Sequence, residues 1–563
     1  MTKLSIYFPL ILVLAVFFTT SAQVPELVNK NKPEREEWLK DAGFGMFIHW
    51  NIDVQLGTVI SHSLVGSSPA YADKYINELP ATFNPVDWNP EKIVILAKNA
   101  GMKYLVFTTK HHNGFCFWDT KSTDFNVMNT PYAKDIVAEL AAACRKYGLA
   151  VGFYFSSEDF VFSYQNGIRD IKRTGHWEHA APIREKYEKY LKIQVTELMT
   201  QFGVVDMFFI DSEAYREEVK EMVWKLQPNC LITRGAIPTP EQFIPGETMD
   251  AAWESNMTMG TQWNYKPTNE HYKSGTYLIY ALIKARARGG SYLLNIGPDQ
   301  WGNLNESQQG RLQELAAWNF INGEAIGNVR PWIVTNEGDI WLSKHKTENT
   351  VYAYLTGQEN WPRGERREFV LRSILSDNRT KISVLGQTGR VVEYMPEVDG
   401  MASFTQHRDS LTISVVRAQR IYNNHQWSNP IVVKLEGVVP ALIPAKFTTR
   451  MAKFSGDQSI MFHARVNELG DGTRHALYFE YRPRVSSLSP AGEQSWHRTG
   501  EIEFSEAGIY SIKHSDVLFE SFSGDRGEET AIVNASAAQP GIEYRAVVDQ
   551  DGLVIQGNLI NLD

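Results

Sequence analysis

Cysteine is nearly missing from this sequence: Cys116, Cys144 and Cys230 are the only three in 563 residues. Three thiols cannot build a framework of several disulfides, and none stands in the paired spacing of a structural zinc site. Positive charge is outnumbered as well. Lys and Arg total 56 against 65 Asp and Glu, a formal net charge of -9. That balance gives no basic face of the kind nucleic-acid binding needs. Beyond the first twenty residues no apolar run is long enough to span a bilayer. Internal repeats and low-complexity tracts are absent too, which excludes a solenoid and a long disordered linker.

One apolar run stands at the start. Lys3 precedes Leu10-Ile11-Leu12-Val13-Leu14-Ala15-Val16-Phe17-Phe18, and Thr20-Ser21-Ala22 supplies small residues for cleavage. Residues 1–22 therefore read as a removable signal peptide of a secreted or periplasmic protein. A membrane anchor is the competing reading, and the run is short for it. An exported chain without disulfides must rely on its core, which fits a periplasm or cell surface at least as well as a eukaryotic secretory route.

Aromatic residues, by contrast, are plentiful, with 15 Trp and 24 Tyr. Their faces suit sugar rings and equally fill cores. The length exceeds one core, so several domains are expected. Over 23–335, short apolar segments at 44–49, 104–109, 150–155, 206–210, 230–234, 251–253 and 292–296 alternate with amphipathic helices. These segments are apolar almost throughout, as strands buried on both faces are. Pro90 opens one helix and Gly101 stops it; Asp135 caps another and Gly148 ends it. The pattern predicts an α/β fold, a (β/α)8-type, TIM-like barrel, with an open doubly wound sheet as the alternative. Seven strands are legible rather than eight. From 336 to 438, short segments separated by turn residues predict an antiparallel β-sandwich. A further C-terminal β-rich domain, 439–563, includes an expected strand at 530–533; it serves as a rigid spacer or binds carbohydrate through Trp496.

Two carboxylates carry the chemical reading. Asp211 ends Met207-Phe208-Phe209-Ile210-Asp211, and Glu254 ends Ala251-Ala252-Trp253-Glu254. Acids at the ends of two barrel strands are what glycoside hydrolysis needs, one to attack the sugar and one to protonate the leaving oxygen. The adjacent His111 and His112 invite a metal reading. They are not spaced as a helical pair, and no carboxylate-plus-His set completes a site in the sequence. Neutral imidazoles bonding sugar hydroxyls fit better, as do satisfied supporting histidines.

These segments together resemble the retaining α-L-fucosidases of glycoside hydrolase family 29. The likeness runs in order through Phe44-Gly45-Met46-Phe47-Ile48-His49-Trp50, His111-His112-Asn113-Gly114-Phe115, Phe117-Trp118-Asp119, Tyr154-Phe155-Ser156, Asp211, Trp253-Glu254 with Trp263-Asn264-Tyr265, and Arg330-Pro331-Trp332. The resemblance implies Asp211 as nucleophile and Glu254 as general acid/base. It implies His49, His111, His112, Trp118, Tyr154, Phe209 and Trp263 as the sugar-binding wall. Such a mechanism needs no cofactor or metal, and places the two carboxyls about 5–5.5 Å apart. The expected partner is a fucosylated glycan. Three departures stand out: Phe209-Ile210-Asp211-Ser212 where the family has Trp-Phe-Asp-Gly, Asn113 for an Asp, and Ala236 for an acid in Gly235-Ala236-Ile237-Pro238-Thr239-Pro240-Glu241. They point to a related sugar such as an α-L-galactoside. Glu158, Asp159 and Glu213 read as solvated loop charges, with pocket lining as the other option. The competing function is a catalytically silent carbohydrate-binding protein on the same barrel.

Overall fold

The computed structural model describes residues 28–562 except 173–180, 247, 359, 388, 393–394, 419–428, 455–458, 484–495 and 515–541. The expected signal segment and the expected strand at 530–533 lie outside the described residues. Among the described residues, no helix is long and apolar enough to cross a membrane.

Seven strands form one parallel sheet: β1 (Phe44–Ile48), β2 (Tyr104–Lys110), β3 (Ala150–Ser156), β4 (Met207–Asp211), β5 (Leu231–Ile232), β6 (Glu254–Thr258) and β7 (Ser291–Ile296). Their spatial order is β5-β4-β3-β2-β1-β7-β6. The alternation of side chains divides the apolar residues into two sets. Phe47, Val106, Tyr154, Met207, Phe209 and Leu293 form an inner cluster. Met46, Phe107, Phe155, Phe208 and Leu294 belong to the outer core with the helices. An enclosed inner cluster is what a sheet curled on itself produces.

Six of the seven strands lie where the apolar runs predict. The seventh is displaced. The run at 251–253 is not a strand, and β6 starts only at Glu254. Its sequence, Glu-Ser-Asn-Met-Thr, carries a single apolar residue, so an apolar-run criterion passes over it. The segment 238–242 lies beside it: Glu254 N–H donates to Pro238 O at 3.1 Å, Asn256 N–H to Pro240 O at 3.0 Å, and Gln242 N–H to Asn256 O at 2.9 Å.

Arg286 ties the base of the sheet together. It is fully buried and donates from Nε to Ile326 O at 2.9 Å, from Nη1 to Gly290 O at 2.6 Å and from Nη2 to Lys40 O at 2.6 Å. One guanidinium thus joins the helix before β1, the turn before β7 and the exit to the next domain. Gly43 yields it the space: its φ is +66°, and a Cβ there would lie 2.3 Å from the guanidinium carbon.

Beyond the barrel-like domain the strands are antiparallel. A five-stranded sheet (Val329–Glu337, Ile340–His345, Thr350–Leu355, Ile374–Val384, Ile431–Pro440) and a three-stranded one (Arg366–Leu371, Ser403–Gln406, Leu411–Val416) share a core of Leu342, Val351, Leu371, Ile413 and Leu435. A separate core of Phe462, Phe479, Tyr544 and Val548 lies within the last strands, from Lys446–Phe454 onward. Trp496 is half-buried, with the guanidinium groups of Arg482 and Arg545 each 4.4 Å from its ring.

Arg286→Met keeps most of the apolar stem but strands three buried carbonyls, each worth about 1–3 kcal/mol when unsatisfied. Chemical denaturation should show a loss of at least about 2 kcal/mol. An unchanged midpoint would remove Arg286 from its role as the tie.

Candidate active site

Asp211 is the last residue of β4, and the parallel register sets it beside Ser156, the last residue of β3. Four groups from four segments converge on its carboxylate. The Tyr154 hydroxyl donates to Oδ2 at 2.7 Å, and the Ser212 N–H donates to Oδ1 at 3.0 Å. His112 Nε2 lies 3.4 Å from Oδ2, and Arg234 Nε lies 3.4 Å from Oδ1. Burial alone would raise this acid. His112, Arg234, Tyr154 and Ser212 together outweigh it and hold Asp211 well below the usual carboxylate range. It is ionised at neutral pH.

The histidines form a wall beside it. His49 Nδ1 bonds Asn295 Oδ1 at 2.7 Å, and burial, partly offset by that bond, pulls its pKa down to about 3. His111 Nδ1 bonds Ser61 Oγ at 2.7 Å, and its ring stacks on Tyr154 at 5.3 Å. Burial drives His111 well below its ordinary value. Both are neutral, so each offers one donor and one acceptor. His112 Nδ1 bonds Ser156 Oγ at 2.7 Å. Trp263 stands over His49 with ring centres 4.8 Å apart, and its carbonyl accepts from Asn295 Nδ2 at 2.8 Å. Phe209 lies below, 2% exposed and stacked on Tyr154, so it packs the floor and its surface stays off the pocket.

Two expected members are elsewhere. Glu254 opens β6 instead of closing a strand, and it is fully buried. Its partner is the hydroxyl of Tyr104, the first residue of β2, at 2.5 Å. Tyr104 in turn packs on Trp38, from the helix before β1. Glu254 therefore sits among strand beginnings, while Asp211 sits among strand ends. Conserving a barrel residue at the N-terminal face serves stability, and catalysis belongs at the C-terminal face. Burial raises Glu254 to about 7, against a hydrogen bond from Tyr104 that lowers it. Its position follows from the displaced strand: three residues of shift exchange one end of the sheet for the other. Trp118 is also fully buried, and its indole N–H donates to Glu197 Oε2 at 2.9 Å. The loop after β2 folds back, with Phe117 N–H on Thr109 O at 3.0 Å, and turns Trp118 into the outer core.

A second acid, Glu241, shares a guanidinium with Asp211. Arg234 Nη1 donates to Glu241 Oε2 at 2.9 Å while its Nε lies 3.4 Å from Asp211 Oδ1. One guanidinium spans both carboxylates. The Glu241 side chain is 41% exposed, open to a ligand as Glu254 is not. It lies in the segment Thr239-Pro240-Glu241, held in place by the backbone bonds to β6. The signal was in the sequence: an acid after a proline, between two strands, close behind Arg234.

Glu158 and Asp159 are not solvated. Glu158 is 6% exposed and accepts from Ser212 Oγ at 2.6 Å. Asp159 is 2% exposed, caps a short helix through Phe162 N–H at 2.8 Å, and lies 3.6 Å from buried Lys110. Glu213 is exposed. Ser212, directly after Asp211, has a φ of +80°, a left-handed backbone that glycine adopts without strain. The Glu158 bond holds it there. Residues 111, 112 and 211 also come together in space, so a His-plus-carboxylate set absent from the linear sequence exists in the fold.

Two carboxylates joined by one guanidinium at the mouth of a parallel sheet are groups of the kind glycosidic bond cleavage uses, the class of a glycoside hydrolase. Comparison narrows the class. A sequence profile described as Alpha-L-fucosidase matches residues 14–324, more than half the chain. Tissue alpha-L-fucosidase of Mus musculus is 28% identical over 396 residues, covering 62% of this chain and 83% of the relative. The alpha-L-fucosidase of Vibrio sp. strain EJY3 superimposes with a TM-score of 0.64 at 18% identity, covering 95% of this chain and 99% of that one. A family 29 alpha-L-fucosidase from Bacteroides thetaiotaomicron, solved as a trapped covalent intermediate with 2-fluoro-fucosyl fluoride, gives 0.55 at 22% identity over 73% of this chain and 97% of that one. The chain belongs to the α-L-fucosidase family, glycoside hydrolase family 29, whose members hydrolyse α-L-fucosides.

Two substitutions test the geometry. Glu254→Gln should leave most activity intact and change stability instead. Because burial sets the folded pKa at about 7, above the ordinary glutamate value of 4.5, the wild type loses stability as pH rises from about 4.5 to about 7, by about 3 kcal/mol in all. The Gln variant should not show that decline; a collapse of activity with an unchanged pH–stability profile would return Glu254 to the chemistry. Ser212→Gly should raise the thermal midpoint, by relief of about 1 kcal/mol of backbone strain, and lower kcat/KM by loosening Asp211. A variant unchanged in both would show that the strain has no function.

Proposed function

We propose that this protein is an exported exo-glycosidase that removes terminal α-L-fucose from glycans by double displacement, with Asp211 as nucleophile and Glu241 as general acid/base. The observation that carries the reading is the Arg234 guanidinium joining these two carboxylates at the strand ends. Asp211 attacks the anomeric carbon and forms a glycosyl ester, while Glu241 passes a proton to the departing oxygen. Glu241 then takes a proton from water, and the water oxygen displaces Asp211. Tyr154 donates to the attacking carboxylate, and the neutral imidazoles of His49 and His111 bond sugar hydroxyls. The trapped intermediate of the Bacteroides relative supports a covalent step of this kind.

Export rests on the N-terminal apolar run. The (β/α)8-type barrel remains part of this reading, and the backbone bonds of 238–242 along β6 support it. α-L-Galactosides fall within the same reading. An added C6 hydroxyl calls for a polar neighbour, and Ser212 with Glu158 supplies a hydroxyl and a carboxylate beside Asp211. The last domain is read as a spacer, because two guanidinium groups already lie against Trp496.

Aryl α-L-fucosides of graded leaving-group ability provide the test. Glu241→Ala should lose about 10²–10⁴ in kcat/KM on poor leaving groups, far less on activated ones, and regain turnover with azide. Wild-type rates on poor leaving groups would refute the assignment. The same series run on aryl α-L-galactosides reads the sugar preference directly.

A further inference from the structure

The imidazole wall has a second chemical capacity. His111, His112 and Asp211 each offer one ligand atom, and the three atoms lie within 4.8 Å of one another. His112 Nε2 and Asp211 Oδ2 are 3.4 Å apart, close to the separation of two ligands that share one ion at about 2.0–2.2 Å. The supporting bonds are already those of a metal centre. Nδ1 of His111 is held by Ser61 Oγ at 2.7 Å, and Nδ1 of His112 by Ser156 Oγ at 2.7 Å. A hydroxyl on Nδ1 fixes each ring and leaves Nε2 for ligation, as outer-shell partners do around bound metals. Two further imidazoles flank the set: the His49 ring lies 5.9 Å from His111, and the His62 ring 6.0 Å from His112. Arg234 opposes a cation here. It sits against the other oxygen of Asp211, so it weakens the site without blocking it.

We propose that His111, His112 and Asp211 capture a borderline divalent transition-metal ion, Zn2+ or Cu2+, and that this ion reversibly shuts the hydrolase by occupying its nucleophile. Two imidazoles and one carboxylate suit these ions; Mg2+ and Ca2+ prefer all-oxygen sets and should not compete. The ion is an inhibitor here and takes no part in turnover. The inhibitory effect rests on the hydrolase reading, whereas metal capture itself depends only on the three side chains.

The experiment titrates the full-length protein with ZnCl2 calorimetrically in a non-chelating buffer, in parallel with aryl α-L-fucoside assays. The expected result is one Zn2+ per chain, inhibition competitive with substrate, full reversal by EDTA and no response to Mg2+ or Ca2+. The double variant His111→Gln/His112→Gln should bind Zn2+ at least tenfold more weakly. Ser156→Ala, which removes the hydroxyl behind His112 together with its bonds to the Glu158 backbone, should weaken binding by about 10–100-fold. That variant decides the matter if the double variant fails to fold. No heat of binding at 100-fold excess Zn2+, or undiminished binding in a folded variant, would overturn the proposal. Zinc uptake by a protein inert on fucosides would instead overturn the hydrolase reading and leave this one standing.

Discussion

An ionised carboxylate at the mouth of a parallel sheet is the constraint around which this molecule is arranged. Asp211 is largely withdrawn from water, which by itself favours the neutral acid. It stays charged because a hydroxyl from β3, an imidazole from the loop after β2, a guanidinium from the segment after β5 and a backbone amide of its own loop all point at it. No single helix or hairpin can bring four such groups together. A sheet of parallel strands in fixed register can, because it delivers the ends of several strands to one place.

The two ends of the sheet treat carboxyl groups in opposite ways. At the mouth, positive and donating groups keep Asp211 ionised. At the base, Glu254 meets only a tyrosine hydroxyl and apolar walls, and burial raises it to about 7. Similar side chains on β4 and β6 thus acquire different protonation states from their surroundings alone. The base is instead organised by Arg286, whose bonds go to carbonyl oxygens of three chain segments. One end of the domain is specialised for holding together, and the other for presenting charge.

Much of the fold was legible in the sequence because six strands buried on both faces are apolar throughout. The seventh was not, since Glu254–Thr258 is polar in composition and its hydrogen-bonding neighbour, 238–242, contains two prolines. That one displacement put Glu254 at the opposite end of the sheet from Asp211. Asp211, His49, His111, His112, Tyr154 and Trp263 do come together in space. Trp118 was misplaced for a different reason: its loop folds back onto β2, and the buried Glu197 that claims its indole N–H lies 79 positions away. Glu158 looked like a loop charge until the positive φ of Ser212 brought a hydroxyl onto it. Register and long-range pairing decided these cases, and neither is written in local composition.

The antiparallel domains add two hydrophobic cores that share no residue with the sheet mouth. The most direct measurement on the central claim is covalent trapping. The protein is incubated with 2-fluoro-fucosyl fluoride, digested, and the adduct located by tandem mass spectrometry. A fluorofucosyl ester on Asp211 is the predicted result; an adduct on another residue, or none from a preparation that turns over fucosides, would contradict the account.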